Sequence, residues 1–215
     1  MIDNNNQTDF IRIMEHTLIK DKINKDGLVI VDLGACKGEF ISPLGEYCNI
    51  DKAILVEACP KNFNVLKNNF GNDSKYKIYN NVISSKENLV LEFYEDINSD
   101  YNGSTCFKYS SSKKHDIKSI TLEELVKENN LTNIDVLKID IEGAEYEVLN
   151  YFIEKKLYNI TDQITVEFHD FIDERLKEQT ENIIREMKNV GFKHYSVSTD
   201  YMLGSSNYDV LFYKN

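Results

Sequence analysis

Apolar positions in this chain come in short dense runs, and most of the stretches between them carry helical spacing. Runs at 28–33, 52–57, 76–80, 89–94, 134–140, 162–168, 192–197 and 208–213 have the length and composition of strands. Val29-Ile30-Val31 and Ala53-Ile54-Leu55-Val56 are continuously apolar, the pattern of strands buried on both faces. Leu176, Thr180, Ile183, Ile184, Met187 and Val190 make one helical face that stops at Gly191, a suitable C-cap. Thr121-Leu-Glu-Glu124 is a capping-box pattern ahead of Leu125 and Val126. Phe10, Ile13, Met14, Thr17 and Leu18 also follow helical spacing, which predicts an N-terminal helical cap within residues 1–26.

Strands that alternate with helices predict an α/β fold with a mostly parallel, doubly wound sheet, in a single domain over 1–215. The last two runs are joined by only 198–207, with Gly204, Ser205, Ser206 and Asn207. That short link predicts an antiparallel hairpin at one edge. Residues 95–118 break the rhythm. Asn98, Ser99, Asp100, Asn102, Gly103, Ser104, Ser110, Ser111 and Ser112 surround Thr105-Cys106-Phe107, and the stretch reads as a flexible loop over an active site. A second subunit, in a homodimer, is one thing that would order such a loop.

Composition narrows the classes. The 215 residues are 41% hydrophobic, enough for one filled core. A net charge of −11 repels phosphate backbones, so nucleic acid is not an expected partner. No run approaches the roughly 18 apolar residues of a membrane span. The first residues, Met-Ile-Asp-Asn-Asn-Asn-Gln, lack the basic and apolar regions of a signal peptide, so a cytoplasmic location is expected. Cys36, Cys48, Cys59 and Cys106 are spaced too widely for a zinc or redox motif and read as reduced thiols.

The first buried run ends in Asp32 and opens directly onto Gly34-Ala-Cys-Lys-Gly38. The next ends in Glu57, 25 residues after Asp32. Glycines let backbone approach a ligand, and a carboxylate offers two acceptor oxygens to the vicinal hydroxyls of a ribose. An adenosine cofactor is the expectation. The G-x-G-x-x-G triplet of dehydrogenases is missing, which disfavours a nicotinamide-dependent reductase. The spacing D-x-G-x-x-x-G instead resembles the first motif of S-adenosylmethionine-dependent methyltransferases.

The segment Ile134-Asp-Val-Leu-Lys-Ile-Asp140-Ile-Glu-Gly-Ala-Glu145 resembles the hallmark of the FkbM-type methyltransferases. Thr121-Leu-Glu-Glu124 and Val166-Glu-Phe-His-Asp170 are similar to its flanking motifs, in the same order. The resemblance covers about residues 28–170. It departs from the family at Glu123 and Glu124, where aspartates are usual. It implies a Rossmann-like class I methyltransferase fold, with a seven-stranded sheet of order 3-2-1-4-5-7-6 and strand 7 antiparallel. It also implies S-adenosylmethionine as methyl donor. On that reading Asp32, Gly34, Ala35, Gly38, Glu57, Ala58 and Asp140 form the cofactor site. Asn81, Val82 and Ser84 stand where relatives meet the adenine.

An alcohol is a poor nucleophile near neutral pH and needs a base or a metal. The candidates are Asp140 and Glu142 at one strand end and Glu167, His169 and Asp170 at the next. Glu167 and His169, two apart, are expected on one face of their strand. Two functional readings stay open. In one, His169 is the general base, with Asp140 or Glu167 orienting it and Glu142 beside them. In the other, Asp140, Glu167 and His169 hold Fe2+, Mn2+ or Mg2+. A third reading makes His169 an ordinary hydrogen-bonded histidine, with Glu142 capping the next helix. Lys138 is expected to pair with a carboxylate. His16, His115 and His194 show no partner pattern; His16 could line the acceptor pocket, but surface placement is the expectation. Phe168, Phe171, Tyr195, Tyr201 and Tyr208 read as ordinary core aromatics rather than a sugar platform.

The expected acceptor is a small hydroxylated molecule, with a sugar or nucleotide sugar destined for a surface polysaccharide first. A polyketide hydroxyl, a phosphoramidate, or a non-catalytic subunit that binds S-adenosylmethionine are the alternatives.

Overall fold

The first described element is a hairpin. In the computed structural model, which describes residues 9–99, 103–108, 110–170, 174–200 and 206–215, Phe10–Ile13 (β1) pairs antiparallel with His16–Ile19 (β2). Only one helical turn follows, Lys20–Ile23 (α1). This corrects the expected N-terminal helix. Met14 turns the chain with φ 53°, and the polar groups of β2 are claimed by the sheet behind it. The Thr17 N–H and hydroxyl donate to Asp209, and the Ile19 N–H donates to the Gln163 side chain.

The rest alternates as the pattern predicts. Leu28–Leu33 (β3), Ile41–Tyr47 (α2), Ile50–Val56 (β4), Pro60–Phe70 (α3) and Tyr76–Tyr79 (β5) come first. Val82–Ile83 (β6), Val90–Asp96 (β7), Gly103–Ser104 (β8) and Ser112–Ile120 (β9) follow. Then come Leu122–Glu128 (α4), Ile134–Ile139 (β10), Glu145–Glu154 (α5), Thr161–Phe168 (β11), Glu174–Asn189 (α6), Lys193–Asp200 (β12) and Ser206–Tyr213 (β13). A 3-10 turn at Leu157–Ile160 leads into β11. Thr121 caps α4 through the reciprocal box with Glu124, as the spacing predicts.

The main sheet has the order β12-β13-β11-β10-β3-β4-β5. β11, β10, β3, β4 and β5 run parallel, and β13 lies antiparallel to β11 and β12. Alternation along the strands feeds two cores. Leu28, Ile30, Ala53, Leu55 and Val136 join Leu18 of the hairpin, Ile41 and Leu44 of α2 and Leu66 of α3. Val31, Leu33, Ile54, Val56, Leu137 and Ile139 face Leu125 of α4, Leu149 and Phe152 of α5, and Ile183 and Met187 of α6. A parallel sheet covered on both faces follows from these two apolar sets.

Residues 95–118 are not one loop. Ser112–Ile120 is a strand, and a second sheet forms in the order β6-β9-β7-β8. Its strand β9 alternates weakly, and only its end, at Ile117, Ser119 and Ile120, is buried. Asp100, Tyr101, Asn102 and Tyr109 lie outside the described residues, as do Phe171, Tyr201, Gly204 and Ser205. No described helix is long and apolar enough to cross a membrane.

Candidate active site

The chain turns sharply where β3 ends. Gly34 has φ +81°, and a Cβ placed there would lie 1.8 Å from the Asp140 carbonyl oxygen, so only glycine fits. The Gly34 and Ala35 N–H groups donate to Val56 O, and Cys36 follows with φ 49°. Lys138, 3% exposed near the end of β10, ties this loop down. Its ammonium donates to Gly34 O at 2.7 Å and lies 3.4 Å from Asp32 and 3.5 Å from Asp140. Burial pulls the Lys138 ammonium down, and Asp32 and Asp140 outweigh it to hold the pKa above the ordinary value. Asp32 is fully buried, and burial pushes its carboxyl up against the pull of Lys138.

Glu57 follows β4. One oxygen accepts the Cys36 N–H at 2.8 Å and the other the Cys59 N–H at 2.7 Å. Burial pushes its pKa up to about 7, against those two hydrogen bonds. Each oxygen keeps acceptor capacity, and the residue lines the main cavity.

That cavity, of about 470 Å³, runs from the glycine loop to the hairpin tip. Gly34, Ala35, Cys36, Glu57, Ala58 and Cys59 form one end. Asn81, Val82, Ile83 and Phe93 of the second-sheet region continue it, with Gly103 and Thr105 beside them. Asp140, which abuts Gly34, lines it too, with Glu142, Glu167, His16, Glu15 and Met14. The backbone is bare at Gly34, a diol acceptor stands at Glu57 and an apolar patch lies at Val82, Ile83 and Phe93. These groups fit an adenosyl cofactor.

Of the residues expected at the cofactor, Gly34, Ala35, Glu57, Ala58, Asn81, Val82 and Asp140 line the cavity. Asp32 supports the loop from beneath through Lys138. Gly38 instead packs on Phe70, where a Cβ would come within 2.2 Å of the ring. Ser84 turns away and donates to Glu147 at 2.9 Å.

The catalytic candidates divide differently from the expectation. His169 does not line the cavity. The alternation that would have aimed it beside Glu167 stops at Phe168, the last residue of β11. Its Nδ1 lies 3.1 Å from the fully buried Glu145, and its Nε2 lies 3.5 Å from Glu142 and 3.9 Å from Asp140. Burial alone would lower its pKa, but Glu145, Glu142 and Asp140 outweigh it and hold it well above 6.5. A histidine held protonated cannot serve as a resting base. Burial raises Asp140, but Lys138 and His169 reverse this and leave it below the usual carboxylate value.

His16 takes the place at the cavity. It is buried, stacks edge-on to Phe40 and is brought in by the hairpin. Burial and then Lys138 push its pKa down to about 3, so it is neutral. Burial and Asp140 push Glu167 up to about 8. Among the described residues, His16, Asp140 and Glu167 bring ligand atoms within 4.8 Å of one another, and so do Asp140, Glu145 and His169. The expected metal trio of Asp140, Glu167 and His169 is thus split between two groups that share Asp140. Helical spacing in the sequence hid His16, because its route to the site is a hairpin.

The model of the methyltransferase FkbM domain matches residues 32–194. The fold is similar to that of a methyltransferase FkbM from Methylobacillus flagellatus KT, at TM-score 0.55 and 12% identity, over 87% of this chain and 44% of that one. The chain thus spans less than half the length of that structure. It is also similar to a precorrin-6y C5,15-methyltransferase from Geobacter metallireducens GS-15, at TM-score 0.51 and 10% identity, over 91% of this chain and 85% of that one. No curated protein sequence matches it significantly. The sheet has the α/β architecture shared with these two structures. The chain belongs to the FkbM methyltransferase family.

Proposed function

We propose that the protein is an S-adenosylmethionine-dependent O-methyltransferase acting on a small hydroxylated acceptor. A sugar, free or nucleotide-activated, on its way to a surface polysaccharide is the first choice. One observation carries the reading: His16, Asp140 and Glu167 bring side-chain atoms within 4.8 Å of one another and line the same cavity as Gly34 and Glu57.

Gly34, Ala35, Glu57, Ala58, Asn81, Val82 and Asp140 are assigned to the cofactor. When bound, S-adenosylmethionine supplies a methyl group on a sulfonium, a carbon already primed for displacement. Glu57 would accept from the ribose hydroxyls with its remaining lone pairs. Asp140 is ionised and is the residue we assign to receive the acceptor's hydroxyl proton as the oxygen gains its methyl group. Glu142 and Glu167 flank the acceptor. Lys138 and, behind the site, His169 supply the positive charge that keeps Asp140 ionised. The seven-strand order of the main sheet agrees with the class I reading.

A second reading rests on the His16, Asp140 and Glu167 group. One imidazole and two carboxylates suit Fe2+, Mn2+ or Mg2+. When bound, such an ion would acidify the acceptor hydroxyl.

The test incubates the protein with S-adenosylmethionine and a panel of free and nucleotide sugars, with and without chelator. S-adenosylhomocysteine and product mass are followed. A product heavier by one methyl group supports the proposal, and chelator loss restored by a divalent ion supports the metal reading. Cofactor binding without any product, on sugars or on polyketide and phosphoramidate acceptors, favours a non-catalytic role.

A further inference from the structure

The charge of the cavity wall narrows the acceptor. Among the described residues its lining includes Glu15, Glu39, Glu57, Asp140, Glu142 and Glu167, and a single lysine, Lys138. That lysine is already committed to Asp32, Asp140 and Gly34 O. The arginine of the hairpin, Arg12, is exposed, donates to the Glu15 backbone oxygen and does not line the cavity.

The acids divide between the two ends. Glu57 follows β4 and has both oxygens on the amides of the glycine loop and Cys59, which places it at the cofactor end. Glu15, Glu142 and Glu167 come from the hairpin tip, the turn after β10 and the end of β11. In the sheet β10 and β11 lie on the side of β3 opposite β4. The Glu167 side chain, partly buried in the cavity wall, accepts no hydrogen bond from any described residue. A partly buried carboxylate such as Glu167 is costly without a cation, and a cationic ligand relieves that cost, with the exposed Glu15 beside the entrance adding to the negative field. A diphosphate set among the same groups would meet repulsion, and among the described lining residues no lysine or arginine but the committed Lys138.

We infer that the acceptor is a cationic polyol, with a protonated amine close to the hydroxyl that is methylated, as in an amino sugar, and not a nucleotide-activated sugar. The inference rests on the methyltransferase reading and specifies its acceptor. Glu15 and Glu167 receive the ammonium, and Glu142 extends the same wall.

The experiment uses the full chain saturated with S-adenosylhomocysteine at neutral pH. Binding of glucosamine, N-acetylglucosamine, glucose and UDP-glucose is followed by ligand-observed NMR, and turnover of each with S-adenosylmethionine by product mass. Glucosamine is expected to bind about tenfold more tightly than its N-acetyl form or glucose, and to lose most of that advantage in high salt. Glu15→Gln is expected to shrink the glucosamine preference severalfold while leaving cofactor affinity unaltered. Equal binding of charged and neutral sugars, preference for UDP-glucose, or binding of none of the four overturns the inference. A protein that fails to bind S-adenosylhomocysteine at all overturns the methyltransferase reading instead, so the two failures are distinct.

Discussion

The His169 imidazole and the Glu145 carboxylate are joined inside the protein at 3.1 Å, with Glu145 fully buried and His169 nearly so. The same carboxylate accepts the N–H groups of Ile141 at 2.9 Å and Gly143 at 3.0 Å. Those residues flank Glu142, held at φ 54°, and Gly143 has φ 105°. One buried ion pair therefore fixes the left-handed turn that carries Asp140 and Glu142 to the cavity.

Glu145→Gln keeps the shape and removes the charge. Breaking a buried pair costs about 3–5 kcal/mol. The pKa of His169 is raised on folding. Its contribution to stability is therefore fully present below 6.5, its ordinary value, and is lost as pH rises through the higher folded value. Urea denaturation of the native protein should show stability falling over that window, and Glu145→Gln should flatten the fall. An unchanged slope in the variant would remove the pair from the account.

Gly34→Ala tests the loop. The substitution forces a Cβ to within 1.8 Å of the Asp140 carbonyl oxygen at a φ of +81°. Backbone strain of this kind costs about 1–3 kcal/mol before any shift of β10. The expected result is a lower Tm and loss of S-adenosylhomocysteine binding in calorimetry.

Much of this architecture was legible because its signals are local. Val29-Ile30-Val31 and Ala53–Val56 are apolar on both faces, and both lie in fully covered parallel strands. The Thr121–Glu124 box needs only four residues and is present as read. The hairpin was not legible. Phe10, Ile13, Met14, Thr17 and Leu18 fit a helical face, the turn at Met14-Glu15 carries no glycine or asparagine, and the contacts that hold the strands come from Gln163 and Asp209, far along the chain. Strand β9 begins Ser-Lys-Lys-His-Asp, which no strand propensity favours, and it forms because β7 pairs along its length. At the site the acid-ended strands pointed to Asp140 and Glu57. His16 required the hairpin to be known, and His169 was misaimed because strand alternation ends one residue before it.

Asp140→Asn tests the proton acceptor. The amide keeps the size of the side chain and cannot take a proton. Loss of a general base costs about 10²–10⁴ in kcat. Steady-state kinetics with an identified acceptor should show that loss, with S-adenosylhomocysteine affinity changed far less. A variant that keeps near-native kcat would move the role to Glu167.

On the proposed assignment, Glu57 gives cofactor binding a pH dependence. Its pKa stands at about 7 because burial outweighs the two amide hydrogen bonds. Ribose hydroxyls donate to the ionised form, so binding lowers this pKa and releases a proton. Affinity for S-adenosylhomocysteine should therefore rise from pH 6 to pH 8 and level off above it. Calorimetry in buffers of different ionisation enthalpy counts the proton directly. Glu57→Gln should bind more weakly and show neither the rise nor the release.

The hairpin brings Met14, Glu15 and His16 to the cavity, and Asp209 holds it there. One Asp209 oxygen accepts the Thr17 N–H at 2.9 Å and hydroxyl at 2.7 Å, while the other accepts the Thr165 hydroxyl at 3.0 Å. Asp209→Ala leaves the buried Thr17 N–H without a partner, a cost of about 1–3 kcal/mol. Leu18 and Ile13 still anchor the hairpin in the core, so the domain stays folded and the strain falls on the tip. Trypsin should then cut faster after Arg12, which is exposed. The acceptor KM should rise severalfold, while cofactor affinity, set by the glycine loop and Glu57, should hold. Asp209→Asn keeps acceptor oxygen for Thr17 and should fall between the two. If cleavage after Arg12 and acceptor KM both match the native protein, the clamp does not hold the tip, and the acceptor side of the cavity must be positioned by β10 and β11 alone.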